Sequence, residues 1–218
     1  MRVIAIDGPA GAGKSTVAKQ VALATGLPYL DTGAMYRCIA HAANESQINI
    51  HHPEEMGVIA RTSHVDIEGS VASLNGVDVS ELIRTPGINQ IVSVIAAHTP
   101  VRDAMRQQQR LWIEAHDGGV VEGRDIGTVV FPDATLKVFL TASPHVRAQR
   151  RVDQSGGDIY EIAASIAQRD DLDSNRADSP LRPATDAHTV DSSHRTIEEV
   201  VSEIVSLFTA KETRNNRG

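Results

Sequence analysis

An apolar run, Val3-Ile4-Ala5-Ile6, passes through Asp7 into Gly8-Pro9-Ala10-Gly11-Ala12-Gly13-Lys14-Ser15, and a helix-forming stretch follows from Thr16. Strand, glycine-rich turn and helix in direct succession give the spacing G-x-x-x-x-G-K-S the context in which it cradles phosphate. A polyphosphate brought against the main chain needs backbone N–H donors with no side chain in the way, and Gly8, Gly11 and Gly13 clear that approach. The helix beginning near Lys14 aims its unpaired amides and the positive end of its dipole at the same anion. Lys14 can reach the β- and γ-phosphates, while the Ser15 hydroxyl suits Mg²⁺. Gly8 to Thr16 are therefore the expected nucleotide-binding residues, against the plainer alternative of a glycine turn with no ligand.

The rest of the composition narrows the class. A chain of 218 residues, 41% of them hydrophobic, has room for one α/β core with small insertions. Its net charge of -7 argues against sequence-independent nucleic-acid binding, which needs a broad basic surface. A substrate anion must then be held by local arginines. Cys38 is the only cysteine, so no internal disulfide is expected, and a small packed hydrophobe in a reducing cytoplasm fits it. The apolar run before Asp7 is too short for a signal peptide, and no stretch approaches the roughly twenty apolar residues of a membrane span. A cytoplasmic protein with small-molecule substrates, and no nucleic-acid or membrane partner, is the expectation.

Further along, Asp31-Thr32-Gly33 opens a helix whose start carries the Thr32 hydroxyl and Arg37, either a second phosphate site or a capped helix with a solvated arginine. Residues 53–62 read as a helix. Two runs with apolar residues mostly at spacing two then flank Asn75-Gly76, a strong type I′ hairpin signal. Helices follow from Pro86 and, with Thr99 as N-cap and Pro100 in the first helical position, from Pro100. The second carries Arg102, Arg106 and Arg110 in one stripe, two of them expected to be solvated, and Trp112 as a core anchor. A strand from Val120 ends in Arg124-Asp125 between Gly123 and Gly127, placed for substrate at a strand's C-terminal end or forming a structural ion pair. Leu136–Leu140 is the next buried strand, and Ser143-Pro144 opens a helix with Arg147, Arg150 and Arg151 beside the joint Gly156-Gly157. Arginines at such a hinge suit a closing lid. A helix from about Ile159 to Leu172, a short strand at Ala187–Asp191, and a capping box of Thr196 and Glu199 before a last amphipathic helix complete the chain.

The segments Asp7 to Thr16, Leu30 to Arg37, Glu122 to Ala134, Arg147 to Arg151, and Arg169 to Leu181 with Asp186-Ala187, in this order, resemble the bacterial cytidylate kinases, nucleoside monophosphate kinases that phosphorylate CMP and dCMP. The resemblance covers nearly the whole chain. It implies a single P-loop kinase domain over 1–218, with a central parallel β-sheet flanked by helices. A monophosphate-binding region of about 32–100 would contain the antiparallel insert at about 63–84, and a lid would span about 147–160. It further implies that Ser93, Arg102 and Asp125 contact the cytosine base, that Arg37, Arg124 and Arg176 bind the CMP phosphate with help from Thr32, and that Arg169 and Asp173 contact the sugar. Asp125 can accept from the base amine, and Ser93 and Arg102 can donate to its acceptor edge. Lys14, Arg147 and Arg151 are the implied catalytic groups, ATP the donor, Ser15 the Mg²⁺ ligand, and a monomer the implied state. Two rivals stay open on the residues alone: a kinase of the same fold acting on UMP, AMP or a non-nucleotide acceptor, and a nucleotide-sensing binding protein.

Overall fold

The computed structural model describes residues 2–215. In chain order it contains β1 (Arg2–Asp7), α1 (Lys14–Thr25), β2 (Tyr29–Asp31), α2 (Thr32–Glu45), α3 (Pro53–Thr62), β3 (Val65–Glu68), β4 (Val71–Leu74), β5 (Val77–Asp78), α4 (Pro86–Ile95), α5 (Thr99–Ala115), β6 (Gly118–Gly123), β7 (Leu136–Thr141), α6 (Pro144–Ser155), α7 (Ile159–Asn175), β8 (His188–Asp191) and α8 (Ile197–Asn215). A 3-10 turn at Leu82–Arg84 and a π-helical turn at Ile126–Val130 lie between them. The chain divides into two compact units: one runs to Tyr29 and takes in Asp117–Asn175 and the chain from Ser179, and the other holds Leu30–His116 with Arg176–Asp178.

A five-stranded sheet has the order β2-β6-β1-β7-β8. β1 runs parallel to both β6 and β7, and β7 parallel to β8. Every residue of β6, and all of β1 after Arg2, is buried, as strands covered on both faces must be. Ile4, Ile6, Val120, Val138 and Leu140 form one apolar cluster with Val17 and Val21 of α1 and Val200, Ile204 and Phe208 of α8. The expected α/β fold with a parallel sheet is thus the observed one. Gly26 caps α1 in the left-handed region, and the Thr196–Glu199 box forms as anticipated, with Thr196 N donating to Glu199 Oε2 at 2.9 Å and Glu199 N to Thr196 Oγ1 at 3.2 Å.

The second unit holds α2 to α5 and the antiparallel sheet β3-β4-β5. Asn75 and Gly76 both have positive φ, 52° and 81°, as a type I′ turn demands.

Several local expectations are corrected. α5 begins at Thr99 with His98 as its N-cap, because the His98 carbonyl accepts from Val101 N and Arg102 N at 3.1 and 3.0 Å while its ring bonds Ile50 O at 2.7 Å. Arg106 is not solvated, since Asp103 and Asp178 both pair with it. Trp112 is half-buried and stacks on His116 at 3.9 Å, while Ile113 takes the buried position beside it. The strand expected from Val120 to Gly127 starts at Gly118 and stops at Gly123. α7 continues three residues past Leu172 because Asp173 is held from outside the helix, its carboxylate by Arg124 and its carbonyl by Leu181 N.

Candidate active site

The phosphate-binding loop is built by close backbone approach. Gly8 has φ 154°, and a Cβ there would stand 2.0 Å from Leu140 O. Gly11, at φ 76°, would bring a Cβ to 3.1 Å from the Arg147 Cβ. α1 then starts at Lys14 behind a left-handed Gly13, with no side chain capping its first amides and no acidic residue in its first turn. Its N-terminus is therefore furnished for an anion.

Lys14 is 7% exposed and its Nζ donates to Pro9 O at 2.8 Å. Burial, then the positive charges of Arg124 and Arg169, pull its amine down to about 7, against the opposing pull of Glu122 and Asp173. Ser15 and Thr16, next along the helix, are exposed. Asp7, at the end of β1, accepts from Ile126 N and Gly127 N at 2.8 Å each and so ties the strand end to the π-helical turn. Burial nonetheless pushes its carboxyl up to about 6.

Around this loop the first unit gathers most of the other expected residues. Arg124 Nε donates to Asp173 Oδ2 at 2.8 Å. Burial works against the Arg124 charge, but Asp173 and the nearby Asp170 and Glu122 leave its pKa above the ordinary value. Asp125 is buried, and its carbonyl accepts from Val129 N at 2.9 Å inside the turn that follows. Arg169 is half-buried on α7. Arg147 is buried and braces the loop: its Nε donates to Ala142 O at 3.1 Å, its Nη1 to Ala10 O at 2.8 Å, and it pairs with Asp170. Asp170 in turn accepts from Ala10 N at 2.9 Å. Arg150, given no separate duty by its sequence, donates to Ala12 O and to both the hydroxyl and the carbonyl of Ser192. Arg151 is exposed on α6.

Asp170 and Asp7 are the residues that sequence reasoning missed. Asp7 sits in the motif but shows no distinguishing signal there, and nothing along Arg169-Asp170-Asp171 tells which carboxylate turns to the loop.

Thr32, Arg37, Ser93, Arg102 and Arg176 belong to the second unit. Thr32 is buried as the first residue of α2, which Asp31 caps by accepting from Ala34 N at 2.9 Å. Arg37 Nε donates to Asn89 Oδ1 on α4 at 3.4 Å, and Ser93 lies one turn further along α4, half-buried. Arg102 is 1% exposed, donates from Nη1 to Ala96 O at 3.0 Å, and lies 5.8 Å from the Tyr36 ring centroid. Cys38, also in this unit, is buried, and burial pushes its thiol up to about 12, so it packs as a hydrophobe. Among the described residues no group of three or more acidic, histidine or cysteine side chains is arranged to hold a metal, and no helix is long and apolar enough to cross a membrane.

A family model described as "Cytidylate kinase" matches residues 4–210. The chain belongs to the cytidylate kinase family. A cytidylate kinase of Desulfitobacterium hafniense is 48% identical over 217 residues, covering 95% of this chain and 93% of that one. One from Bacillus cereus is 46% identical over 215 residues, covering 94% of each. A bifunctional pantoate ligase/cytidylate kinase of Prochlorococcus marinus is 47% identical over 94% of this chain, which spans only 43% of that relative's length. Among solved structures, an uncharacterized protein from Eubacterium ventriosum shares the fold at 10% identity, with a TM-score of 0.54 over 96% of this chain and 99% of that one. Membership in the cytidylate kinase family agrees with the resemblance carried by the sequence segments.

Proposed function

We propose that this chain transfers the γ-phosphoryl group of MgATP to CMP or dCMP, giving CDP or dCDP and ADP. The observation that carries the reading is Lys14, buried in a glycine cradle with its amine drawn down to about 7, in a chain of the cytidylate kinase family. A buried amine surrounded by arginine charge is short of negative partners, and triphosphate supplies them.

In the proposed reaction a phosphate oxygen of CMP attacks the γ-phosphorus in line. The bond from that phosphorus to the β–γ bridging oxygen breaks, and ADP leaves with the electron pair. The attacking oxygen is anionic near neutral pH, so no side chain has to remove a proton from it. Lys14, Arg147 and Arg151 neutralise and align the transferring group. The exposed Ser15 hydroxyl is suited to hold Mg²⁺ together with phosphate oxygens, and few protein ligands are needed because Mg²⁺ in such sites keeps its waters. When bound, the ion supplies further charge neutralisation. Ser93, Arg102 and Asp125 read the cytosine. Arg37, Arg124 and Arg176 hold its phosphate with Thr32 assisting, and Arg169 and Asp173 take the sugar. The lid reading of 147–160 is supported by Gly156 and Gly157, whose φ values of 68° and 103° turn the backbone at the end of α6. The monophosphate-binding region of 32–100, a monomeric state and a cytoplasmic setting belong to the same proposal.

Asp125→Ala is expected to lower kcat/KM for CMP more than for UMP, because only cytosine offers an amine for the carboxylate to accept from. Equal losses for the two, measured by ADP release, would make Asp125 a structural group.

Proton linkage gives a second test. Lys14 is about half protonated near pH 7 in the free protein, and triphosphate raises its pKa on binding. At about pH 8, where Asp7 is already ionised on either side of the reaction, MgATP binding should therefore take up close to one proton. Titration calorimetry in two buffers of different ionisation enthalpy reads that number, and Lys14→Met should abolish it. Uptake that persists in the variant would place the titrating group elsewhere.

A further inference from the structure

In one side-chain cluster of the second unit, Arg102 has a part in the proposed reaction, and its neighbours Arg106 and Asp178 have none. Arg102 and Arg106 are one turn apart on α5, and both face the same oxygen: Asp178 Oδ1 accepts from Arg106 Nη2 and lies 3.8 Å from Arg102 Nε. Arg106 Nη1 also donates to Asp103 Oδ1 at 2.8 Å. The Arg102, Arg106 and Asp178 side chains are 1%, 14% and 19% exposed, so their charges interact through a medium less screening than water. Two guanidinium groups share one carboxylate, and without it they repel each other. Asp178 also closes the short segment Arg176–Asp178, which packs with α5 although the residues on both sides of it belong to the first unit.

We propose that Arg106 and Asp178 are positioning residues for the acceptor nucleotide. Their ion pair pins the segment 176–178 to α5, and thereby sets Arg176, two residues before Asp178, in register with Arg102. Ala96 O, the Tyr36 ring and the charge of Asp178 all hold Arg102. The hold by Asp178 depends on the segment that carries Arg176. The pair thus couples the group assigned to the base with a group assigned to the phosphate. The inference rests on the proposed acceptor roles of Arg102 and Arg176, and it adds two residues that touch no substrate.

The test is steady-state ADP release with MgATP and varied CMP for the wild type, Asp178→Asn, Asp178→Glu, Arg106→Met and the double variant Arg106→Met/Asp178→Asn. The wild type comes first, and a wild type without CMP-dependent turnover removes the acceptor reading and this inference with it. Given an active wild type, Asp178→Asn should raise KM for CMP on the order of tenfold, with kcat within about threefold and KM for ATP unchanged, since a partly buried charge pair has lost one member. Asp178→Glu should restore most of the loss. The double variant should be no worse than the worse single one, because the ion pair between the two residues is already lost in either single variant. Unchanged KM for CMP in both Asp178→Asn and Arg106→Met overturns the inference. So does a rise in both substrates' KM values, or additive single effects, since the pair would then support the fold and not the acceptor. Should Asp178→Asn fail to fold, the comparison of Arg106→Met with Asp178→Glu decides on the same KM split.

Discussion

Lys14→Met is expected to lower turnover by about a thousandfold, the scale of losing a preorganised charge at a developing transition state, while the protein stays folded. The structure gives reasons for both halves. Lys14 is buried in the turn it serves, its Nζ donates to Pro9 O within the same loop, and Arg124 and Arg169 already press on its charge. A folded-state pKa near 7, below the ordinary lysine value of 10.5, means that the native protein holds this amine protonated less readily than the unfolded chain does. The lysine therefore costs stability in full below about pH 7, and that cost shrinks as pH rises from there towards about 10.5, where the unfolded amine also loses its proton. An uncharged methionine of similar length removes it. Thermal unfolding near neutral pH should show Lys14→Met at least as stable as the wild type, with turnover nearly gone. A variant that kept near-normal turnover would show that Lys14 is not a catalytic group. One that lost activity only by unfolding would leave the loop without its proposed division between function and stability.

Gly8→Ala is expected to be strongly destabilising. The added Cβ would meet Leu140 O at 2.0 Å, a backbone atom of a central strand that no rotamer change can move aside, and φ at Gly8 is 154°, where L residues are strained. Backbone strain of about 1–3 kcal/mol and overpacking of a similar size add to roughly 2–6 kcal/mol. For a chain of this length that is a fall in Tm of on the order of 10 °C. The same shift would disturb the loop that carries Lys14, so MgATP affinity should fall with stability. By contrast, Gly26→Ala meets no atom within 4 Å and is strained only by its φ of 69°, so its loss should be smaller, about 1 kcal/mol. Equal melting temperatures for the two variants would show that the close approach of Gly8 to β7 does not constrain the loop.

What could be read from the sequence was local. The phosphate-binding loop, the Asn75-Gly76 turn and the Thr196–Glu199 box are contiguous patterns, and each is set by conformational or hydrogen-bonding preferences of residues at most a few positions apart. The loop's glycines announced a close approach but not its target, Leu140. Pairing partners were the illegible part. Asp170 reaches Ala10 N across 160 residues, Asp178 reaches Arg106 across 72, and Arg124 finds Asp173 across 49. Charge alone cannot choose among 21 basic and 28 acidic residues. For that reason Arg106, one of a regular stripe on α5, read as solvated when Asp178 pairs with it. The last three residues of α7 lay beyond the expected helix end for a related reason. Asp173, Ser174 and Asn175 are weak helix formers, and the helix is carried through them by the contacts of Asp173 with Arg124 and Leu181 and by Asn175 Nδ2 donating to Asp171 Oδ1 at 2.7 Å.

The proposed activity stands or falls most directly on acceptor-dependent ADP release by the purified protein with MgATP and, in parallel, CMP, dCMP, UMP, AMP or no acceptor. Fast release confined mainly to CMP and dCMP is the predicted result. Release driven chiefly by AMP or UMP would contradict the cytosine-reading roles of Ser93, Arg102 and Asp125. ATP binding with no release above the acceptor-free reaction would contradict phosphoryl transfer to a nucleoside monophosphate.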